Sequence, residues 1–332
     1  MENSIGVRQM IPFPTKLTAE SKEKNLEARA ADSRLEARIL EITAEAKEVF
    51  FELYGIRKKI EFLEEKKKIF EDHYKRLRAS ALSDRIVQAH RLWVQTEIAL
   101  IENDLIAAHE SERVGQGKLN VVMGISPDQS IAQLEELPPS SLPKDQTLSP
   151  SHPELQSAEY SKAAAEKALS GSRSLWLPDL SFQYRSARRF DGLMPNYSEV
   201  MVGVTLPFLF FWEAKGEVSA AHARAQAAAN QVEKVRLDLQ QDVLESRARA
   251  ESLRAQLANY DTKIIPQAEK RSRIAHGLVP SDPESLMEHR EAMESLVQLR
   301  LAEVSIRVDY EKSVAKLERL LARGTESKET QP

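Results

Sequence analysis

The stretch at residues 35–63, LEARILEITAEAKEVFFELYGIRKKIEFL, carries an apolar residue at alternating steps of four and three. The positions are Leu35, Ile39, Ile42, Ala46, Val49, Leu53, Ile56, Ile60 and Leu63. Steps that average about 3.5 residues are the period of a coiled coil. The flanking sequence is rich in good helix formers, and 16–125 contains no proline. We therefore predict a helix of about sixty residues, on the order of 90 Å long, far longer than the helices of compact globular domains.

The helical pattern occurs twice. It breaks at residues 78–84 and then resumes, which predicts an antiparallel hairpin with its tip near 79–84. A second pair of long segments without glycine or proline flanks a tip near 276–283. Shifting one half over the other by about 200 positions aligns both tips, as a tandem duplication would. The predicted parts are a first repeat at 1–126 (strand 3–13, helical hairpin 17–118), a connector with a short helix at 127–176, a second repeat at 177–324 (β-hairpin 179–208, helical hairpin 214–322) and a disordered tail at 325–332.

Three short runs alternate apolar and polar residues with the period of a β-strand. They cover residues 4–11, 180–185 and 200–206, and the aromatic residues of 208–212 follow the last run. Strands of this length with an apolar face fit a membrane-spanning barrel with aromatic residues at the lipid interface. They fit equally a small sheet in water whose aromatic cluster packs on a helix. The strands alone leave both possibilities open.

Composition excludes several other classes of protein. The chain has 332 residues with 47 Lys or Arg and 51 Asp or Glu, and its net charge of −4 argues against a nucleic-acid binder. The absence of cysteine excludes disulfides and thiolate metal sites. No apolar run reaches the length of a transmembrane helix, so none is expected. Residues 1–4 do not begin a secretory signal peptide, so none is expected within this sequence.

Short motifs follow one another in a recognisable order around the predicted hairpins. They are Leu177-Pro178-Asp179-Leu180-Ser181, Val202-Gly203-Val204-Thr205-Leu206-Pro207-Phe208, the Ala-rich restart from Ser219 to Ala229, and the tip segments Leu82-Ser83-Asp84 and Ile274-Ala275-His276-Gly277. With the duplicated layout, this order resembles the TolC family of outer-membrane efflux channels. The opening segment, 11–17, is similar to the branch that serves heavy-metal efflux systems.

The resemblance implies a mainly α fold with a small β part. Two tandem long coiled-coil helical hairpins would cross the periplasm, and the short strands would contribute to a shared trimeric transmembrane β-barrel. The implied function is that of an outer-membrane channel subunit of a tripartite efflux system, a passive export duct. Its implied partners are two further copies in a homotrimer, outer-membrane lipid, a periplasmic adaptor (membrane fusion) protein and an inner-membrane pump. Family members begin with a signal peptide and a further strand, so this sequence is expected to lack an N-terminal part.

The resemblance also implies where the gate and the docking surface lie. Family members place acidic residues just after the tips, where rings of carboxylates narrow the pore and favour cations. By position, Asp84, Glu284 and Glu288 match them. The alternative is that these are ordinary acids of a first helical turn. The expected adaptor-docking residues are Ser80, Leu82, Ser83, His276, Gly277 and Leu278.

Other chemistry finds little support in the sequence. No catalytic motif occurs, so we expect neither an enzyme nor a cofactor. The histidines show no ligand spacing, and we expect surface residues and no metal site. They are His73, His90, His109, His152, His222, His276 and His289. The alternatives to a channel are a soluble coiled-coil scaffold and a truncated, non-functional channel remnant, and no motif separates a metal ion from an organic compound as the transported substrate.

Overall fold

The computed structural model describes residues 2–79, 85–129, 140–144, 147–189, 197–205, 211–277 and 283–322. The elements in chain order are β1 (Glu2–Ile11), α1 (Pro14–Ala79), α2 (Arg85–Val122), α3 (Pro153–Arg173), a 3₁₀ turn (Ser174–Trp176), β2 (Leu180–Arg189), β3 (Tyr197–Val204), α4 (Phe211–Asn259), a π-helical segment (Tyr260–Ile264), α5 (Ile265–Gly277) and α6 (Pro283–Leu320). The predicted fold class, mainly α with a small β part, is confirmed. None of the described helices contains an apolar stretch of the length needed to cross a membrane.

Proline marks the start of three helices. α1 begins at Pro14, α3 at Pro153 and α6 at Pro283. The proline ring holds φ near the helical value, and the first turn does not need its N–H. From sequence, the first strand was expected to end at residue 13 and the first helix to begin at 17. β1 instead ends at Ile11 and α1 begins at Pro14, because proline suits the first helical position.

Helix α2 ends in a Schellman motif. Gly124 has a φ of 74°, its N–H donates to Val121 O at 3.0 Å, and Ile125 N–H donates to Asn120 O at 2.8 Å. These bonds satisfy carbonyl groups that the last helical turn leaves open. α6 is followed by the same left-handed conformation at Ala322, with a φ of 55°.

A π-helical segment of five residues, Tyr260–Ile264, joins α4 to α5. It ends two residues before Pro266, which has no N–H and whose ring crowds the carbonyl of the preceding turn. The wider turn removes this conflict, and Ile265 N–H donates to Tyr260 O. The helical path therefore continues past the proline.

The three strands form one antiparallel sheet in the order β1-β2-β3. β1 pairs with β2 along its whole length, from Glu2 opposite Arg189 to Ile11 opposite Leu180. Leu180 also lies opposite Val204 of β3. A strand from the beginning of the chain thus lies beside a hairpin from its middle.

Contacts group the chain into two compact units. The first unit comprises residues 1–38 and 149–240, and the second comprises 39–148 and 241–332. In the first unit α3 packs on the beginning of α1. Ser157 Oγ donates to Ala30 O at 3.2 Å, and a Cβ added to Gly171 would lie 3.4 Å from that of Ala19.

The second unit has a core of large aliphatic side chains, among which Leu53, Ile101 and Leu317 are fully buried. One cluster joins α1 to α2 and contains Ile60, Leu63, Phe70, Leu77, Val94, Ile101 and Ala108. The apolar row of residues 35–63 is therefore core from Leu53 onward. Its earlier members, Leu35, Ile39 and Ile42, are exposed.

Candidate functional site

One face of the sheet of the first unit consists mainly of exposed apolar side chains, and Gln9, Ser186 and Ser198 lie on the same face. The register places Val7 beside Tyr184 and Val200, and it places Ile11 beside Leu180 and Val204. The full set is Ile5, Val7, Ile11, Leu180, Phe182, Tyr184, Val200, Val202 and Val204. Ile5 is 81% exposed and Val202 is 72% exposed. A contiguous apolar surface of this kind marks a site of contact with lipid or protein.

The opposite face of the sheet is mainly polar, although Met10 and Met201 also lie on it. Arg8, Gln183, Arg185 and Glu199 lie on it, because strand residues alternate between faces. Arg8 donates to Gln183 Oε1 from Nε at 2.9 Å and from Nη2 at 2.6 Å. The sheet is therefore suited to an apolar medium on one side and to water on the other.

Asp179 joins the sheet to the start of α1. Its Oδ1 accepts from Lys16 Nζ at 2.7 Å and from Phe13 N–H at 2.9 Å. Lys16 Nζ also donates to Leu177 O at 2.9 Å. Asp179 N–H donates to Thr205 Oγ1 at 2.8 Å, and Thr205 N–H donates back to Asp179 O at 2.9 Å. Asp179 thus connects three segments: its carboxylate contacts Phe13 and Lys16 at the start of α1, and its backbone contacts Thr205 after β3.

Electrostatics hold Asp179 in its charged form. Burial alone would raise the pKa of its carboxyl group, but the hydrogen bonds from Lys16 and Phe13 N–H and the charge of Lys16 together lower the pKa. The sequence drew attention to both segments, 11–17 and 177–181, but not to the contact between them. Sequence spacing carries no signal for a pair 163 residues apart.

A histidine cluster lies near the ends of α1 and α2 in the second unit. His73 and His90 have their Nε2 atoms 2.9 Å apart, and the ring of His289 lies 6.1 Å from that of His73. The expectation that the histidines are surface residues is wrong for His289 and His152, which are 7% and 1% exposed. The approach of three helices buries His289, and this tertiary effect cannot be read from spacing along the chain.

The cluster has a mixed apolar and cationic environment. The ring of His90 stacks on the ring of Trp93, with the two centroids 5.3 Å apart. The guanidinium carbon of Arg290 lies over the Trp93 ring, 4.9 Å from its centroid. Burial lowers the pKa of His90, and the charge of Arg290 lowers it further. Within the described ranges, no group of three or more His, Asp or Glu side chains has the arrangement of a metal site.

Comparison with known proteins identifies the family. A family model described as outer membrane efflux protein matches residues 146–323, more than half of the chain.

The chain belongs to the outer membrane efflux protein family.

Solved structures share the fold of this efflux protein. The open state of the MtrE outer membrane channel of Neisseria gonorrhoeae aligns with a TM-score of 0.77 at 16% identity, over 97% of this chain and 80% of that one. The CmeC outer membrane channel of Campylobacter jejuni gives 0.77 at 12% identity, over 98% and 78%. The outer membrane protein VceC of Vibrio cholerae gives 0.73 at 16% identity, over 97% and 86%. No curated protein matches the sequence.

The family confirms the function predicted from the sequence. The protein is an outer-membrane efflux duct component, and its family is one of channel proteins rather than enzymes. At 12–16% identity, the similarity to these solved structures supports only the fold. The match to the family model supports the function.

The predicted gate and docking residues of the efflux protein stay predictions. Asp84, Ser80, Leu82, Ser83 and Leu278 lie outside the described residues. His276 and Gly277 end α5, and Glu284 is the second residue of α6. Glu288 is exposed on α6, beside the buried His289. The described contacts bring none of these residues together.

Proposed function

We propose that three copies of this chain assemble into an efflux duct whose outer end lies in the outer membrane. The observation that carries the proposal is the sheet with one exposed apolar face and one polar face. Joined edge to edge, the sheets of several copies would turn the apolar face toward lipid and the polar face toward the transported solution. Joining them also satisfies the open edges of β1 and β3, which lipid cannot do.

Exposed apolar residues on the helices support association of several copies. Val114 and Val121 are exposed seven residues apart on α2, and Leu237 and Leu244 repeat the spacing on α4. Residues seven apart lie on one seam of a coiled coil, and such a seam packs on another helix. Helix α1 also has exposed apolar residues in one row, namely Leu35, Ile39 and Ile42. A further copy of the chain is the simplest partner for these seams, and the family resemblance implies three copies.

The duct would let its substrate pass without using energy of its own. The two predicted tips would form the gate and the surface that docks the adaptor. In an assembly of three, Asp84, Glu284 and Glu288 would form rings of carboxylates that attract cations and narrow the pore. The tip residues would dock a periplasmic adaptor that connects the duct to an inner-membrane pump. They are Ser80, Leu82, Ser83, His276, Gly277 and Leu278. Transport of this kind needs no catalytic group, because the pump supplies the energy.

Two adjacent substitutions on β3 test the proposal. Val202 lies on the apolar face, and Met201, which is 48% exposed, lies on the polar face. Val202→Arg should reduce the amount of trimer recovered from the outer membrane, since an arginine facing mid-bilayer lipid costs about 2–4 kcal/mol. Met201→Arg is the matched control and should leave recovery near that of the unchanged protein.

The assay combines membrane fractionation with conductance in planar bilayers. The unchanged full-length gene product should be recovered from the outer membrane as a trimer and should open steady channels. Equal recovery of the two arginine variants would contradict the assignment of the lipid face. Recovery of the unchanged protein only from the cytosol would overturn the duct and favour the scaffold.

A further inference from the structure

A small cavity lies among α1, α2 and α6 in the second unit. Its wall includes His73, His90, His289, Trp93, Arg290 and Met293. The wall therefore offers imidazole nitrogens and one thioether sulfur, and it carries a guanidinium. Imidazole binds several transition metals, copper among them, and the thioether of methionine favours soft cations such as Cu(I).

The two central imidazoles present their Nε2 atoms to one another. These atoms are 2.9 Å apart, and the rings stand nearly perpendicular with centroids 5.2 Å apart. Packing holds one ring in place, because His90 is stacked on Trp93. Since His73 comes from α1 and His90 from α2, any ion between the two nitrogen atoms would cross-link the hairpin.

We propose that His73 and His90 bind a soft monovalent cation, Cu(I) or Ag(I), with Met293 supplying a thioether ligand. Zinc and other divalent ions prefer four or more donors, commonly with a carboxylate or thiolate among them. The two imidazole nitrogen atoms that face one another and the thioether of Met293 are three uncharged donors, and the guanidinium of Arg290 opposes a second positive charge on the ion. A monovalent ion that accepts two or three soft donors fits this set best.

Binding requires a small rearrangement. With a metal–nitrogen distance of about 2 Å on each side, as in zinc–histidine sites, the two nitrogen atoms would lie roughly 1 Å further apart than they are in their hydrogen bond. Rotation of the half-buried His73 side chain can supply this displacement. The imidazole that donates from Nε2 must shift its proton to Nδ1, so that both Nε2 lone pairs face the ion. The exchange releases no net proton.

The site uses none of the residues of the predicted carboxylate rings, although Glu288 directly precedes His289 of the cavity wall. His73 lies six residues before the end of α1, and His90 lies five residues after the start of α2. The cross-link would therefore hold the two helices together close to the first predicted tip. Its test does not depend on the proposed channel activity.

Silver titration of the full-length chain in detergent tests the proposal. Ag(I) is added in chloride-free buffer, and binding is followed by calorimetry and by the metal retained after desalting. The absence of cysteine in the chain removes competition from thiols. We expect one tight site per chain, weakened at least about tenfold in His73→Gln and in His90→Gln, because even loss of an outer-shell partner weakens metal binding by about that much. His222→Gln, which changes an exposed histidine of α4, should bind like the unchanged protein.

Two further measurements do not require the histidine variants to fold. Met293→Leu keeps the apolar volume and should weaken Ag(I) binding, and X-ray absorption of the unchanged protein should show nitrogen and sulfur around the ion. Equal Ag(I) affinity in the unchanged protein and in a folded His73→Gln/His90→Gln double variant would overturn the site. Tighter binding of Zn(II) than of Ag(I) would overturn the assignment of the ion.

Discussion

Replacing Asp179 by alanine should loosen the connection between the sheet and α1. The change removes the acceptor of two hydrogen bonds, one from Lys16 Nζ and one from Phe13 N–H. It leaves the backbone of Asp179 free to keep its bonds with Thr205. The variant therefore probes the carboxylate itself, while the adjoining strand ends stay paired.

The expected cost follows from the burial of the pair. Hydrogen bonds to charged groups contribute about 1.5–3 kcal/mol each. The side chains of Lys16 and Asp179 are 15% and 20% exposed, so water can replace part of what is lost. We expect local opening to become easier by about 2–3 kcal/mol. This corresponds to hydrogen exchange of the Phe13 amide that is about 30- to 150-fold faster.

Hydrogen exchange read by mass spectrometry on peptides that contain Phe13 measures the effect. Asp179→Asn keeps an acceptor for Phe13 N–H and should show a smaller increase, whereas Asp238→Ala on the exposed face of α4 should show none. Unchanged exchange at Phe13 in Asp179→Ala would refute the reasoning.

Acid should act on the same contact. Because the folded-state pKa of Asp179 is lowered, its contribution to stability is present above the ordinary pKa of an aspartate and is lost as the pH falls through the lowered value. Exchange at Phe13, corrected for its intrinsic pH dependence, should therefore rise in acid for the unchanged protein. It should rise less in Asp179→Ala.

Two further predictions concern the second unit and α4. Burial raises the pKa of Glu303, and the neighbouring Asp261 raises it further, so its stabilising protonated form is lost as the pH rises through the raised pKa. Glu303→Gln should raise the thermal midpoint at pH 8 more than at pH 4, and an equal change at both would contradict this. A Cβ added to Gly55 would lie 2.7 Å from Val308 Cγ2, and such overpacking costs about 1–3 kcal/mol. The higher helix propensity of alanine offsets about 1 kcal/mol of this cost, so Gly55→Ala should lower the free energy of unfolding by the difference. Gly216→Ala on α4, where nothing lies within 4 Å, should stabilise by about 1 kcal/mol, and urea midpoints should separate the two variants.

The helices and strands could be predicted because their signals are local. The 3.5-residue apolar period needs only neighbouring residues, and the same holds for the alternation in 180–185. Pro14 is an equally local signal, but the prediction placed the start of the helix at 17. From Leu53 onward the members of the apolar row of residues 35–63 are buried or half-buried. The apolar period could not show that Leu35 is exposed. An apolar row has the same spacing whether it packs within its own chain or on another copy of the chain.

The contacts that complete the candidate sites could not be predicted from the sequence. Lys16 and Asp179 come together only because β1 lies beside β2. His73, His90 and His289 meet only because three helices pack against each other. Both cases depend on tertiary geometry that residue spacing does not contain.

The pairing of β1 with β2 has a consequence for how the protein folds. Ile11 pairs with Leu180 across a loop of more than 160 residues. Closing so long a loop costs conformational entropy, and the strand contacts that offset this cost form only after closure. The helical hairpin of α1 and α2 forms from contacts much closer in the chain, so it should be complete first. The pairing of β1 with the β2–β3 hairpin should be the last step, and until then the edges of β1 and β2 are open to wrong pairing with other chains. Rapid early helix formation followed by slow acquisition of strand structure is the kinetic behaviour to expect.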